Sequence, residues 1–445
     1  MRKFSLIGIA MLIVSTTTFA GGLLTNTNQH AAFLRMLSRG ATTEIDGALS
    51  NPAGLAFLPK DGFHVALSIQ SAFQTRNIDA DFLRHTMDGA KPSTEPFAKY
   101  YEGKAAAPII PSVFAAYKQG DWTISGFFAI TGGGGKASFD DGLPLFESLV
   151  MAGIFKATSE AGAPVSPNMY DINSAMDGRQ YIYSAQLGLT YKINEWLSAF
   201  AGGRMNYFTG GYEGFLTAKL KENLGGTELK ALALDCDQTG WGLTPVIGVD
   251  AKLGKLNIGA KYEFKTNLNI ENDTKKNTEE NGALAAFKNG VNTPNDIPAM
   301  LSVAAAYQFL PVLRASVEYH FYDDKNAGMA DNKQKSLTKG TNEWLAGIEW
   351  DVIKRLTVSG GVQFTDYGLS DNYQSDTSFS CDSYTLGFGA KLALSEKANL
   401  NVGYMWTTYE DYTKTSQNYN GTGLKGTNIY SRTNKVFGLS IDYSF

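Results

Sequence analysis

The residues that could do acid–base or nucleophilic chemistry are few in this sequence of 445 residues. Its four histidines are His30, His64, His85 and His320. By the parity of the predicted strands, His64 and His320 lie on polar faces, whereas His85 lies in a predicted loop and His30 in the segment before the first strand. A membrane-embedded hydrolase would need a His–Ser pair that faces lipid, and none of the four has a convincing partner. The sequence therefore predicts no catalytic site and a protein that is not an enzyme.

Phosphate and metal sites are also not expected. The glycine run Gly132 to Lys136 is not a phosphate loop, because Ala137 replaces the required Ser or Thr and the spacing is wrong. No ligand spacing for a metal appears, so we expect no metal and no other cofactor. A haem or metal importer would rest on four scattered histidines alone. Nucleic acid is not an expected partner.

The two cysteines, Cys236 and Cys381, both fall in or beside predicted external loops. An oxidising compartment permits a disulfide between them. The sequence does not show whether the distance allows it, so the bonded and the free forms both remain open. A bond would tie two loops together rather than act on a ligand.

The N-terminus predicts secretion. Arg2 and Lys3 form a positive region, Phe4 to Val14 a short apolar stretch, and Thr18-Phe19-Ala20 a small-residue cleavage point. This pattern indicates a signal peptide over residues 1–20, with a mature chain that begins at Gly21. The apolar stretch is too short to span a bilayer as a helix.

The composition is compatible with a membrane protein built of strands. After Ala20 no apolar run approaches the roughly 20 residues that a transmembrane helix needs. The mean hydropathy of −0.18 fits a barrel, in which only alternate strand residues must be apolar. The 22 Tyr, 26 Phe and 47 Gly are also typical of outer-membrane barrels.

Strict alternation of apolar and polar residues predicts strands. In the segment 256–265, Leu256, Ile258 and Tyr262 share a face opposite Lys261 and Glu263. Comparable alternation occurs at 313–322, 356–365 and 399–406. We predict about fourteen strands, near 62–73, 112–119, 122–131, 180–193, 196–210, 239–252, 255–266, 299–309, 312–323, 342–352, 355–367, 382–394, 398–410 and 432–445.

The connections indicate a transmembrane antiparallel β-barrel over residues 62–445, all-β in class. Tight links alternate with long polar stretches at 74–111, 132–179, 211–238, 267–298, 324–341, 368–381 and 411–431. Short periplasmic turns and long external loops are the rule in outer-membrane barrels. The last strand ends on Phe445, which looks like the terminal signature that the outer-membrane assembly machinery reads. We therefore expect the outer membrane of a Gram-negative bacterium as the location.

Residues 21–61 do not alternate and precede the first strand. A barrel of about fourteen strands is too wide for its own inward side chains to fill. The segment is too apolar for a solvated tail, since it includes Phe33, Leu34, Leu37, Ile45 and Leu55. We therefore expect an N-terminal plug in the lumen.

One motif in this segment resembles a known family. Arg39-Gly40-Ala41, then Asp46, then Asn51-Pro52-Ala53-Gly54-Leu55 resembles the hatch of the FadL family of fatty-acid and hydrocarbon transporters. The resemblance implies a fourteen-stranded barrel closed by a hatch. It also implies outer-membrane transport of hydrophobic small molecules, above all long-chain fatty acids, by capture in an external groove and lateral release through the barrel wall.

Local chemistry supports the motif independently. Pro52 fixes its own φ and biases Asn51 toward an extended conformation. Asn51 can hydrogen-bond nearby backbone groups, and Gly54 permits a conformation that other residues avoid. An ordinary turn into the first strand is the compatible alternative.

Two further features match the transport that the resemblance implies. The stretch 143–155 is apolar for an external loop, and Leu145, Phe146, Leu149, Val150 and Phe155 fall near helical spacing. An exposed apolar patch there would capture ligand, with Leu284 to Phe287 as the other side of the groove. Simple packing over the barrel mouth is the alternative.

Gly132-Gly133-Gly134-Gly135 follows the third predicted strand, and glycine weakens strand pairing. A kink there could open a lateral gap in the wall, and a floppy loop start is the alternative. The mature N-terminus contributes Leu23 and Leu24, which the resemblance would place in the binding pocket, although the aromatic residue of the family is absent.

The expected partners are a hydrophobic small-molecule ligand, outer-membrane lipids and lipopolysaccharide, and the assembly machinery, with the chain a monomer. A general porin, or a surface adhesin or binding protein on the same barrel, is the alternative function. A wide-pore conductance would favour the porin.

Overall fold

The structure is a computed structural model that describes residues 28–282 and 284–445. The predicted signal peptide, residues 1–20, and the candidate pocket residues Leu23 and Leu24 lie outside the described residues.

Seventeen strands in one antiparallel sheet make up most of the chain. The first six are long. They are β1 (Gly62–Asp88), β2 (Lys91–Gln119), β3 (Trp122–Phe139), β4 (Tyr170–Lys192), β5 (Leu197–Leu220) and β6 (Glu228–Leu253). The others are β7 (Leu256–Glu263), β8 (Asn269–Asn277), β9 (Asn292–Pro294), β10 (Met300–Leu310), β11 (Leu313–Tyr322), β12 (Thr341–Ile353), β13 (Leu356–Asp366), β14 (Ser383–Ala393), β15 (Ala398–Tyr409), β16 (Tyr412–Ser416) and β17 (Gly426–Ser444).

Fourteen of these strands close into a barrel. Consecutive wall strands pair as hairpins, β7 pairs with β10, and β1 closes the ring by pairing with β17 from His64↔Ser444 to Phe82↔Gly426. The remaining strands β8, β9 and β16 are short additions at the external side. The predicted all-β barrel of about fourteen strands is confirmed.

The wall is apolar outside and polar inside, as the alternation predicted. On β4, Leu187 is 67% exposed to the surroundings, whereas its neighbour Gln186, which points inward, is 5% exposed. On β7, Ile258 and Tyr262 face outward while Lys261 and Glu263 are buried inside. An outer apolar band next to lipid is the arrangement that a bilayer requires of a barrel.

Strands β1 to β6 are longer than predicted. Much of 74–111, 132–179 and 211–238, which we predicted as loops, continues the strands. The reason is visible in β1, where Ile78, Ala80 and Phe82 still point inward and are buried, but Asp79 and Asp81 face outward. Above the lipid the outer face becomes polar while backbone pairing persists, so hydropathy alone no longer marks the strand.

The helices lie inside or on top of the barrel. In the N-terminal segment, α1 (Ala31–Arg35), α2 (Gly47–Ser50) and a 3₁₀ turn (Pro52–Phe57) are largely buried within the lumen. The predicted plug is confirmed for the described part of this segment. The longest helix, α3 (Pro144–Glu160), covers the external mouth. Among the described residues no helix has the length and hydropathy to cross a membrane.

Candidate functional site

Buried arginines fasten the plug to the wall. Arg35, at the end of α1, has no exposed surface and pairs with Glu349 of β12. Its guanidinium also donates to Asn401 Oδ1 and Ser359 Oγ, at 3.0 Å each. A buried charge is tolerated only when it is paired and hydrogen-bonded. These contacts therefore position α1 against one side of the barrel.

Arg39 joins two parts of the plug and also contacts β11, the wall strand next to β12. Its Nε and Nη2 donate to the two oxygens of Asp46, at 2.7 and 2.8 Å. The backbone N–H groups of Arg39 and Gly40 donate to Glu318 Oε2 of β11, at 2.7 and 2.8 Å. Burial opposes the ionisation of the neighbouring Glu44, but Lys391, Arg39 and Arg35 hold the pKa of its carboxyl well below the usual range.

The Asn-Pro-Ala-Gly element contacts the wall directly. Asn51 is extended, with φ −156° and ψ 97°, as predicted for a residue before proline. We expected its side chain to stabilise a local turn. Instead the side chain donates to Val249 O and Asp250 Oδ2 of β6, at 3.1 and 3.2 Å. Gly54 is needed for close approach and not for an unusual φ, because a Cβ there would lie 2.3 Å from Thr42 O.

A charged chamber lies between the plug and the inner wall. It holds about 640 Å³ of empty space. Among its lining residues, Arg204 and Lys261 pair with Glu263, and Glu318 accepts from His320 at 2.7 Å. The lining also includes Phe33, Leu37 and Leu49, but its buried charges must stay paired or hydrated, which disfavours a wholly apolar ligand beside them. The direct route to the periplasm is therefore both plugged and polar.

The wall itself is interrupted between β2 and β3. The two strands pair from Gly103↔Phe139 to Ala105↔Ala137, and again from Val113↔Phe128 to Gln119↔Trp122. Between these stretches they do not pair. At roughly 3.3 Å of rise per residue the interruption extends over about 20 Å. It lies at membrane height, since Ile109 on its edge is 71% exposed on the outer face.

The interruption has local causes on both strands. Pro108 and Pro111 on β2 have no N–H to give to a ladder and restrict pairing to one side. On β3 the register against β4 shifts between Ile130 and Gly132 and again between Gly132 and Gly135. A Cβ at Gly133, whose φ is +97°, would lie 2.4 Å from Gln180 O.

The predicted kink at Gly132 to Gly135 is therefore placed in a strand, where it adjoins the gap, and not at a loop start. Pro108 and Pro111 of β2 are a second signal in the sequence that could have located the gap. A proline in a central strand position marks an unpaired edge.

A plug residue bridges the lower part of the gap. The Gln29 side chain accepts from the N–H of Ile130 at 2.9 Å and donates to the carbonyl of the same residue. The Gln29 carbonyl accepts from Ser112 Oγ of β2 at 3.1 Å. An amide thus replaces the missing strand partner, which matters because unpaired backbone groups at membrane depth are costly. The start of the described plug is coupled to the opening in the wall.

An apolar pocket adjoins the upper end of the gap. It holds about 540 Å³ of empty space and includes Gly135 and Ala137 of β3 in its lining. Phe139, Leu143, Met176, Tyr212 and Phe379 form most of its apolar surface. The polar lining includes Arg76, Arg179 and Asp376, and the Arg76 guanidinium lies 5.5 Å from the centre of the Phe379 ring. We name this space the gap pocket.

A second apolar space lies outward of the gap pocket, with about 370 Å³ of empty volume. Its lining includes Phe146 of α3, Leu216 of β5, Leu232 of β6 and Leu284 of the external loop. It shares lining residues Leu143 and Met176 with the gap pocket, so the two spaces adjoin. We name it the outer groove.

The helical residues proposed for capture separate into two groups. Phe146 lines the outer groove and Leu149 is half-buried. Leu145, Val150 and Phe155 are buried, so the patch that we expected to be exposed is mostly packed, because α3 folds over the mouth. The segment Leu284 to Phe287 was predicted as the other side of the groove. Leu284 lines the groove, whereas Phe287 packs against Tyr212, with ring centroids 5.3 Å apart.

One buried carboxylate holds α3 in place. Glu147, 2% exposed, accepts from Tyr101 OH at 2.9 Å, Lys99 Nζ at 2.8 Å and Ser174 Oγ at 2.7 Å. These donors come from β2 and β4, on both sides of the gap-bearing strand. The helix that borders the outer groove is therefore fastened to the walls of the gap.

Replacing this carboxylate is expected to loosen α3. Glu147→Ala leaves the buried Tyr101 hydroxyl without its acceptor, which costs about 2–4 kcal/mol of docking free energy. The measurement is the rate of tryptic cleavage at Lys156 in the folded barrel, which should rise at least several-fold. Glu160→Ala, at the exposed end of the same helix, is the control. Equal cleavage rates in the two variants would show that Glu147 does not hold the helix.

The histidines have partners that the sequence did not indicate. His64 Nδ1 lies 2.9 Å from Ser444 Oγ, but the pair links β1 to β17 on the inner face and does not meet lipid. His30 Nε2 lies 3.0 Å from Asp442 Oδ1, which anchors the plug. No cluster of metal-ligating side chains occurs among the described residues.

The cysteines are both free and buried, so the disulfide that we left open is not formed. Cys236 accepts from Thr274 Oγ at 3.2 Å, and Cys381 lies 3.6 Å from the Tyr430 carbonyl. Each thiol packs in the apolar core beneath the external loops.

Comparison with known proteins identifies the architecture. Residues 281–445 match the family described as outer membrane protein beta-barrel domain. A Pseudomonas aeruginosa FadL homologue superposes with a TM-score of 0.62 at 14% identity, covering 95% of this chain and 99% of that one. No curated protein is significantly similar in sequence.

Two toluene transporters have similar structures. TodX of P. putida superposes with a TM-score of 0.54 at 15% identity, covering 91% of this chain and 95% of that one. TbuX of Ralstonia pickettii superposes with a TM-score of 0.54 at 14% identity, covering 94% and 99%. At these identities the likeness is one of fold.

Proposed function

Since the chain is an outer-membrane β-barrel with the FadL-type fold, we propose that it carries hydrophobic small molecules across the outer membrane of a Gram-negative bacterium. The observation that carries the proposal is the unpaired stretch between β2 and β3 beside an apolar pocket. The outer groove captures the ligand, the gap pocket receives it, and the gap releases it sideways into the bilayer.

The physical argument is one of partitioning. An apolar molecule gains about 25 cal/mol for each Å² that leaves water. The outer groove and the gap pocket supply apolar surface, whereas the chamber below mixes apolar side chains with the paired charges of Arg204, Lys261 and Glu263. The membrane interior is the next apolar environment on the route, and the gap is the shortest way to it. The plug enforces this choice by filling the lumen.

Long-chain fatty acids are the substrate class that we propose first. They need an apolar pocket with one group that recognises a carboxylate. Arg76 lines the gap pocket and supplies a guanidinium, which binds carboxylates through paired hydrogen bonds. Aromatic hydrocarbons, which TodX and TbuX are described as transporting, would need only the apolar part.

An arginine substitution separates these two substrate classes. Arg76→Met is expected to weaken fatty-acid binding about tenfold, because a charge-assisted hydrogen bond is lost. Binding of toluene should stay unchanged. The measurement is equilibrium binding of oleate and of toluene to purified protein. The control is Arg432→Met, which alters the register partner of Arg76 on β17 without being part of the pocket lining. Equal oleate affinity in both variants would remove fatty acids as the proposed class.

Two experiments test the transport function itself. Native mass spectrometry of detergent-purified protein should detect a co-purified apolar molecule. A deletion strain should lose uptake of that molecule and regain it with the intact chain. Normal uptake of fatty acids and aromatic hydrocarbons in the deletion strain would contradict the proposal. Wide-pore conductance of the wild-type protein would favour the alternative of a general porin.

We propose a monomer as the working form, since the wall closes within one chain. Outer-membrane lipids and lipopolysaccharide would surround the apolar band, and the strand that ends in Phe445 would be read by the assembly machinery. Measuring the mass of the purified barrel in mild detergent tests whether it is a monomer.

A further inference from the structure

A polar cleft opens at the external surface, next to the gap pocket, with which it shares Asp376. It is bordered by four loop regions, represented by Leu145, Lys333, Gln374 and Asn418. It holds about 1030 Å³ of empty space, more than the gap pocket or the outer groove. We name it the upper cleft. Its size and position allow a solute to enter from outside the cell.

Two lysines give the upper cleft its donors. Lys333 is 8% exposed and donates to Ser375 Oγ at 3.2 Å, and Lys414 donates to Gln374 O at 2.7 Å. In the described part of the chain, neither ammonium has a carboxylate oxygen within ion-pair distance. Burial and the nearby Lys414 lower the pKa of Lys333 to about 7. The carboxylates of Asp371 and Asp376 also border the cleft and favour the charge on Lys414 from beyond ion-pair distance. An anion is therefore favoured only where it reaches both ammonium groups, on the side away from these carboxylates.

An acceptor of the same cleft lacks its donor. Asp376 is 4% exposed, and its Oδ1 accepts from Tyr430 OH at 2.8 Å and Asn428 Nδ2 at 2.7 Å. The carboxyl also interacts with the Leu145 N–H and the Asn420 side chain, but its buried Oδ2 has no close hydrogen-bond partner in the described residues. A buried carboxylate oxygen without a donor is costly, and a ligand hydroxyl would satisfy it.

Amide side chains complete the lining of the upper cleft. Asn372, Asn418 and Asn420 border it. An amide carries both donors and an acceptor, which matches a hydroxyl group that also does both. A ligand suited to this surface therefore carries an anionic group and several hydroxyls.

We propose that the upper cleft binds a phosphorylated sugar. Lys333 and Lys414 hold the phosphate, and a sugar hydroxyl donates a hydrogen bond to Asp376 Oδ2. This binding site goes beyond the proposed transport of apolar molecules and does not depend on it. A phosphorylated sugar group could reach the cleft from two sources. One is a soluble sugar phosphate outside the cell, and the other is the phosphorylated core of lipopolysaccharide.

The test uses the intact purified barrel and calorimetric titration with glucose 6-phosphate. The wild-type protein is expected to bind glucose 6-phosphate and to bind glucose at least about tenfold more weakly. Lys333→Met and Lys414→Met should each weaken glucose 6-phosphate binding about tenfold. Lys335→Met, in the same loop as Lys333 and outside the cleft lining, is the matched control. Oleate binding should be unchanged in all three variants.

Several results would overturn the site. They are no glucose 6-phosphate binding at millimolar concentration, equal binding of glucose, or unchanged binding in both cleft variants. A second measurement separates the two sources. Wild-type protein and the Lys414→Met variant are purified from cells, and native mass spectrometry compares the lipopolysaccharide that each retains. Loss of retained lipopolysaccharide only in the variant assigns the membrane source, and equal retention assigns the soluble one. Heat-modifiable mobility confirms that each variant is folded.

Discussion

Uptake is expected to stop when Ala107→Cys and Gly135→Cys are joined by a disulfide, and to return when the bond is reduced. A Cβ at Gly135 would lie 3.7 Å from the Cβ of Ala107. That separation matches the roughly 3.8 Å between Cβ atoms of a disulfide. The bond would join β2 to β3 where the gap pocket meets the gap. Because the exit would then be closed, we expect uptake to fall at least about tenfold.

The reduced double variant is the matched control for this experiment. Gly135 has φ +74°, so a cysteine there introduces strain of about 1–2 kcal/mol. The strain is the same before and after oxidation, and only the bond differs between the two samples. The native thiols, Cys236 and Cys381, are both buried. Uptake that continues with the bond formed would show that the ligand does not leave through this part of the wall.

The second large effect is expected from Asp46→Ala, which should open the plug. The variant leaves the Arg39 guanidinium, 3% exposed, without its bidentate partner. Removing one partner of a buried pair costs about 3–5 kcal/mol when the other charge is left alone. We expect a smaller cost here, because Glu44 Oε2 remains 2.9 Å from Arg39 Nη2. Because the wall is closed by backbone pairing, the barrel should persist while the plug loosens. The measurement is conductance in planar bilayers, in which the wild-type protein should stay sealed and the Asp46→Ala variant should show open-channel events.

The control for the plug experiment is Asp61→Ala, which removes an exposed carboxylate that pairs with Lys118 at the periplasmic rim. Hydrogen exchange of residues 28–58 should accelerate in the Asp46→Ala variant and stay unchanged in the control. A variant that remains sealed, with unchanged exchange, would mean that the contacts of Arg35 and Asn51 hold the plug without Arg39. The same recordings also test the porin alternative, because a general porin would conduct as the wild-type protein.

Both experiments concern features that the sequence indicated only in part. The glycine run at 132–135 pointed to weakened pairing, but the extent of the gap depends on the register between β2 and β3. The motif around Asn51 pointed to a plug, but its side chain bonds to Asp250, far along the chain. Similarly, the apolar spacing of α3 was recognised, yet only contact with other elements decides that Phe146 lines the groove while Val150 is buried.

By itself, the sequence determined the barrel, its inside and outside, and the presence of a plug. The barrel and its two faces follow from a period of two and from hairpin links between neighbouring strands, and the plug follows from an apolar segment without that period ahead of the first strand. All of these are local properties of the chain. Only the tertiary structure decided the gap, the ties of Arg35 to Glu349 and the loops that form the upper cleft. Each of these depends on which distant residues meet, and that is set by strand register and packing rather than by local residue order.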